Sequence, residues 1–282
     1  IEIILKSLQD IRILDFFTPI IFSNDQLLLS QKKKFNIDLE LHKIKNDQNP
    51  IPGKINVINV WEDTFELEFG KSSKKSGLLS YKSLEAATNY LKEDKADVLV
   101  TAPINKENIQ SEKFNFPGHT DYLSNQLKGD SLMFMISDEL KLGLLTDHVS
   151  VNEIISNVNA DKIKKKISIM EKSLKMDFGV IKPKIAVLSI NPHVGDGGVI
   201  GKEDQTILTP TLLEISKSGT LIAGPFSSDS FFGARLYKNY DAVLAIYHDQ
   251  GLIPFKTLSF GEGVNYTAGL NKVRTSPDHG TG

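Results

Sequence analysis

The stretch Asp241–Arg274, DAVLAIYHDQGLIPFKTLSFGEGVNYTAGLNKVR, decides how the chain folds. Its apolar run from Ala242 to Ile246 has the length and partial β-branching of a buried strand, and it passes directly into Tyr247, His248, Asp249, Gln250 and Gly251. Polar side chains at the exit of a buried strand are where α/β proteins place chemistry. Lys256, Asn265 and Arg274 follow within the same stretch, a set suited to an anionic small molecule. This stretch is expected to form the floor of a site.

Working outward, the same pattern recurs. Ala96–Thr101 reads as a buried strand stopping at Ala102 and Pro103. Met133–Ile136 and Gly143–Leu145 read as a hairpin or strand pair, the second emptying into Thr146, Asp147 and His148. Lys184–Ile190 is another strand, ending in Asn191, Pro192, His193 and a glycine cluster. Between these lie helical patterns: Ser83–Lys92 with Ser83 as cap, Tyr122–Leu127, Val151–Lys175 as one long or kinked amphipathic helix, and Glu203–Lys217. Toward the ends of the chain, Ile1–Leu8 reads as helix, Ile11–Phe22 as strand broken at Pro19, and Thr220–Ala223 as strand before a loop at 225–229. Strands alternating with helices predict an α/β protein with parallel pairing.

Composition narrows the function classes. With 282 residues, 40% of them hydrophobic, the chain can bury a sizeable core in one large domain or two lobes. A formal net charge of -2 gives no general attraction to nucleic acid or an anionic membrane. No apolar run reaches membrane-spanning length, and a cytoplasmic protein is expected. The absence of cysteine leaves His, Asp and Glu as metal ligands. Lys32, Lys33 and Lys34 read as a solvated face, and Trp61 as packing.

The glycines do not make a nucleotide fingerprint. Gly195, Gly197 and Gly201 are spaced one residue too widely for the dinucleotide motif, and Gly201 and Lys202 are followed by Glu203, which is not a phosphate-binding loop. They are expected instead to allow a tight loop that aims His193. His148, His193 and His248 thus stand beyond three strands, from which neutral imidazoles could converge on a divalent ion such as zinc. Gly118, His119 and Thr120 sit where a helix start offers N–H groups to an anion, or where a simple cap is needed. A bound metal would suit alcohol oxidation and hydrolysis alike.

The motifs VTAPINKE (100–107), FPGHTDYL (116–123), NPHVGDGG (191–198), YHDQGLIPFK (247–256) and VRTSPDHGTG (273–282) together resemble the 4-hydroxythreonine-4-phosphate dehydrogenase (PdxA) family. The resemblance implies a three-layer α/β/α fold in two lobes, like that of the isocitrate and isopropylmalate dehydrogenases. The lobes are expected at 1–120 with 255–282 and at 121–254, with the active site in the cleft between them. It implies oxidation of 4-phosphohydroxy-L-threonine with NAD or NADP and a divalent metal (zinc, magnesium or cobalt), the 3-oxo acid then losing carbon dioxide. Carried over by position, the metal ligands are His148, His193 and His248, and the substrate contacts are His119, Thr120, Lys256, Asn265 and Arg274. Asp278, His279 and Gly280 would lie at the cofactor, and Asp249 and Asp229 would order the imidazoles or accept a proton. A homodimer sharing its metal site between subunits is also implied. The alternatives are a related dehydrogenase of another phosphorylated hydroxy acid and, from another class, a metal-dependent hydrolase or phosphate-binding protein on the same fold.

Overall fold

The computed structural model describes residues 1–281, so Gly282, the last residue of the final motif, lies outside the described residues. In chain order the elements are α1 (Glu2–Ser7), β1 (Ile20–Ser23), α2 (Asp25–Lys34), β2 (Leu41–Ile44), β3 (Ile55–Asn59), α3 (Lys74–Lys92), β4 (Val98–Val100) and α4 (His119–Leu127). Then come β5 (Gly129–Ile136), β6 (Lys141–Leu144), α5 (Ala160–Met176), β7 (Lys184–Leu188), α6 (Thr209–Lys217), β8 (Leu221–Phe226) and α7 (Ser228–Gly233). The last four are β9 (Ala242–Ala245), α8 (His248–Ser259), β10 (Val264–Leu270) and β11 (Val273–Pro277). They group into two compact units, residues 1–126 with the residues from His279, and Leu127–Asp278. Residues 255–278, assigned from sequence to the first lobe, group here with the second unit.

In the first unit β1, β3 and β2 pair in parallel, in that order. Alternation along the strands sends Ile21, Ile55 and Val57 to one face, where Leu5 and Leu28 from α1 and α2 meet them, while Ile58 packs with Tyr90 of α3 on the other. Trp61 is buried with Leu27 and Leu79, as packing. The three lysines close α2, where cations suit the carboxyl end of a helix, and Lys34 Nζ lies 3.7 Å from the centre of the Phe69 ring.

The second unit carries the histidines beyond the strands. Its strands run in the order β11, β10, β5, β6, β9, β7, β8. Pairing is antiparallel from β11 to β6 and parallel from β6 to β8. One face presents Leu132, Phe134, Ile185, Val187 and Leu244 to Ile163, Ile167 and Met170 of α5 and Leu212 of α6. The alternate residues along the same strands, Met133, Met135, Ala186, Leu188 and Val243, face Phe231 of α7 and Leu252 and Phe255 of α8. Period-two burial on both faces makes a three-layer α/β/α unit, the fold class expected.

Several local expectations give way. Ile11–Asp15 is a 3-10 turn, capped by Asp10 accepting from the Arg12 amide at 3.1 Å, and only Ile20–Ser23 is strand. The helix expected from Ser83 starts at Lys74, because Ser73 and Ser76 form a reciprocal cap; Ser83 lies within it and donates to the Phe22 carbonyl. β4 buries Leu99 but leaves Val98 and Val100 exposed, so it is not the fully buried strand expected. The span 151–175 divides into two 3-10 turns and α5, because Asn159 caps α5 by accepting from the Lys162 amide at 2.9 Å. The helix expected from Glu203 opens as a π-helical turn, Asp204–Leu208, and β8 runs on through Pro225 to Phe226.

Candidate active site

Strand register brings two histidines together. Leu144 of β6 pairs with Ala245 of β9, and the pairing continues as the Leu145 amide donates to the Ala245 carbonyl (2.8 Å) and the Thr146 amide to the Ile246 carbonyl (3.0 Å). Thr146 Oγ1 adds a second bond to the same Ile246 carbonyl at 2.7 Å. Two parallel strands held level in this way deliver the residues just beyond them to one place, and the His148 and His248 rings lie 5.7 Å apart between centroids. His248, just past the strand, opens α8. Its Nδ1 is 2.7 Å from Oδ1 of Asp249; the carboxylate accepts from Nδ1–H and leaves Nε2 as the lone-pair donor.

His193 is presented differently. From His193 to Gly198 the backbone runs left-handed, with φ of 52° at His193, 57° at Val194 and 44° at Asp196, interleaved with Gly195, Gly197 and Gly198. Each non-glycine residue there costs about 1–2 kcal/mol. The chain entering this turn is anchored by Asp204, which is 0% exposed and accepts from the amides of Ile190 (2.8 Å) and Asn191 (2.9 Å) and from Asn191 Nδ2 (3.0 Å). Gly195 is required twice over, since it has φ of 76° and a Cβ there would lie 2.4 Å from the Gly201 carbonyl oxygen.

Asp229 lies in the first turn of α7, at the exit of β8. The Ser227 hydroxyl donates to it at 2.6 Å, and that bond, with the Ser230 amide and the neighbouring His193, holds its carboxyl below the ordinary value. Asp229 and Asp249 line one open pocket of about 480 Å³, together with Arg235, Tyr247 and Gln250.

Three of the residues assigned to substrate, Lys256, Asn265 and Arg274, sit on α8, β10 and β11 of the second unit. Asn265 and Thr267 alternate with the α5-facing Tyr266 and Ala268, so they point to the opposite face, and Arg274 pairs with Thr267 across β10 and β11. Arg274 is 2% exposed and donates Nη1 to Thr267 Oγ1 at 3.0 Å; burial pushes its pKa down to about 10. Asn265 Oδ1 is buried with no hydrogen-bond partner among the described residues, an acceptor of the kind a bound molecule satisfies. Lys256, in the last turn of α8, places Nζ 3.4 Å from Oδ1 of Asp278, so a substrate assignment and a cofactor assignment meet. In the first unit, His119 and Thr120 open α4, which starts earlier than the sequence pattern indicated. His279 Nδ1 approaches the Gly280 carbonyl at 2.9 Å.

Among the described residues no group of three or more His, Asp or Glu side chains is placed to hold a metal ion. One chain brings together a pair of imidazoles, His148 and His248, and does not add His193 to make a set of three. That pair fits two nitrogen ligands of a divalent ion and leaves the rest of a tetrahedral set to be supplied from elsewhere. Two residues given no role from sequence prove to hold the site, Asp204 and Gln250. The only signal for either was a polar residue in a glycine-rich or strand-exit motif.

The pattern of the family described as pyridoxal phosphate biosynthetic protein PdxA matches residues 15–282. A 4-hydroxythreonine-4-phosphate dehydrogenase of Bacteroides thetaiotaomicron is 41% identical over 99% of this chain and 78% of its own. A D-threonate 4-phosphate dehydrogenase of Salmonella typhimurium is 36% identical over 89% of this chain and 78% of its own. The crystal structure of a 4-hydroxythreonine-4-phosphate dehydrogenase from Burkholderia phymatum superposes with a TM-score of 0.82 at 28% identity, covering 99% of this chain and 86% of that one.

Proposed function

Because the chain belongs to the PdxA family and is a dehydrogenase of that family, we propose that it oxidises the secondary hydroxyl of 4-phosphohydroxy-L-threonine with NAD or NADP and a divalent ion such as zinc, magnesium or cobalt. The product, 2-amino-3-oxo-4-(phosphooxy)butanoate, is a β-keto acid that loses carbon dioxide to give 3-amino-2-oxopropyl phosphate. The observation that carries this reading is the His148–His248 pair beyond β6 and β9.

His148 and His248 would hold the ion, and a second copy of the chain would complete the ligand set in a homodimer. Bound there, a divalent ion supplies Lewis acidity to the hydroxyl being oxidised and to the carbonyl formed. Asp249 fixes the ring of His248 so that Nε2 faces outward as a donor. Lys256 and Arg274 offer positive charge to the phosphate and carboxylate, and Asn265 Oδ1 accepts from a substrate N–H or O–H. His119 and Thr120 would add anion contacts from a helix start, and Asp278, His279 and Gly280 would meet the nicotinamide cofactor. A nicotinamide held there would supply the hydride acceptor, and the oxidation also frees a proton. Asp229, kept ionised by its hydroxyl and amide donors, orients His193 or accepts that proton.

A second reading takes D-threonate 4-phosphate, the substrate in the name of a relative 36% identical to this chain. The two molecules share a phosphate, a carboxylate and the oxidisable hydroxyl and differ at C2, where one carries an ammonium and the other a hydroxyl. Reduced-nicotinamide absorbance with each substrate, with and without divalent ion, decides between them. Metal-dependent turnover of the amino acid at the higher kcat/KM supports the first reading. Turnover of D-threonate 4-phosphate alone supports the second, and no turnover of either by folded protein contradicts both.

A further inference from the structure

Gln250 sits two residues beyond His248, in the first turn of α8, and its single amide group joins three segments. Oε1 accepts from the Ile246 amide at 2.6 Å. Nε2 donates to the Ser189 carbonyl at 2.7 Å and to Ser228 Oγ at 2.8 Å. Ile246 is the residue at the exit of β9, Ser189 follows β7 and precedes the left-handed turn, and Ser228 is the neighbour of Asp229 at the start of α7. The orientation of the amide is dictated by its partners, since a backbone N–H must face oxygen and a backbone carbonyl must face nitrogen. The Ile246 carbonyl in turn accepts both the amide and the hydroxyl of Thr146, which ties in the exit of β6 two residues before His148.

We infer that Gln250 is a positioning residue, a bracket that fixes the strand exits carrying His248, His193, Asp229 and, through Ile246, His148 in one arrangement. Only an amide of this length has a donor pair and an acceptor on one planar group. Glu would keep the bond from Ile246 but set an acceptor against the Ser189 carbonyl, and Met would fill the space with neither function. Gln250 touches none of the reacting groups in this arrangement; it acts through the segments it holds.

The inference rests on the proposed reaction for its kinetic consequence but not for its structural one, and the experiment separates the two. Amide hydrogen exchange is compared in the wild type, Gln250→Met, Gln250→Glu and Ser228→Ala, alongside kcat and KM. In Gln250→Met, protection falls at the exits of β7 and β9 and at the start of α7 while the interiors of β7, β9 and α5 stay at wild-type protection. Its kcat drops about 10- to 100-fold, the scale expected for misplacement by about an ångström, with KM changed less than kcat. Gln250→Glu falls between the wild type and Gln250→Met. Ser228→Ala, which removes one of the three bonds and serves if Gln250→Met does not fold, loosens the start of α7 and lowers kcat severalfold. Unchanged exchange at all three segments in the folded variants overturns the bracket, as does a loss of protection spread evenly over the whole unit. If the wild type turns over neither phosphorylated hydroxy acid, the proposed reaction fails while the exchange data still decide the role of Gln250.

Discussion

Two regions of the same sheet present histidines by opposite means. Beyond β6 and β9, His148 and His248 are set by strand register: paired backbones run level, and the residues that follow arrive together with unstrained geometry. Beyond β7, His193 is set by a left-handed turn whose conformation its own residues disfavour, and whose entry at Ile190 and Asn191 a buried carboxylate anchors. The first arrangement is inherited from the fold, with Gln250 bracing the exit of β9. The second adds a strained backbone to that frame and leans on Asp204 at its entry, so it is the more open to attack.

The largest effect is expected where the first region loses a ring. His148→Ala and His248→Ala each reduce turnover at least about a hundredfold in steady-state assay, since even the hydrogen-bond partners of metal ligands matter on a 10- to 100-fold scale. Asp204→Ala breaks the comparison at its weaker side: three donors lose a buried acceptor, and denaturant unfolding registers a loss of about 3 kcal/mol or more. No substitution of a single side chain at the β6 and β9 exits, outside the core, is expected to cost as much stability. Gly195→Ala, by combining positive φ with a contact to the Gly201 carbonyl, costs about 2 kcal/mol in the same measurement.

Val194→Gly works in the other direction. It relieves a β-branched residue at φ of 57°, and after the greater entropy of glycine in the unfolded chain it leaves a gain of up to about 1 kcal/mol in thermal unfolding. The smallest effect is on titration. Removing the Ser227 hydroxyl in Ser227→Ala raises the Asp229 pKa toward the ordinary carboxylate value, as an NMR titration reads. Because the folded value is depressed, the stability Asp229 contributes is present above its unfolded pKa and lost as pH falls through the folded one, below about pH 4. Ser227→Ala therefore makes the acid limb of the stability curve slightly less steep.

The contrast also explains what could be read in the sequence. Ala242–Ile246 and Lys184–Ile190 were legible as strands because burial on both faces writes an uninterrupted apolar run. His148 and His248 followed from those runs, since a residue just past a strand end has little freedom in where it lies. The left-handed path of 193–198 was legible only as a tight loop: glycines permit such a path, but Val194 argues against it, and its anchor at the entry, Asp204, lies eleven residues beyond His193. The start of α8 at His248 was hidden because Gly251 and Pro254 lie within the helix. The start of α3 was hidden because a serine pair, in place of Ser with Glu or Gln, forms its cap. Between residues 31 and 75 the strands are short, and neither β2, with one buried residue, nor β3, with four in succession, alternates in a way that leaves a period to detect.

The most direct test of the account is a cobalt(II) titration of the wild type, His148→Ala, His248→Ala and Asp249→Asn, followed by visible absorption and calorimetry. The account predicts a ligand-field spectrum in the wild type, its loss with at least a hundredfold weaker binding in each histidine variant, and about a 10-fold weakening in Asp249→Asn. Unchanged cobalt affinity in folded His148→Ala and His248→Ala would contradict it, because the strand register would then have brought the two rings together for packing alone.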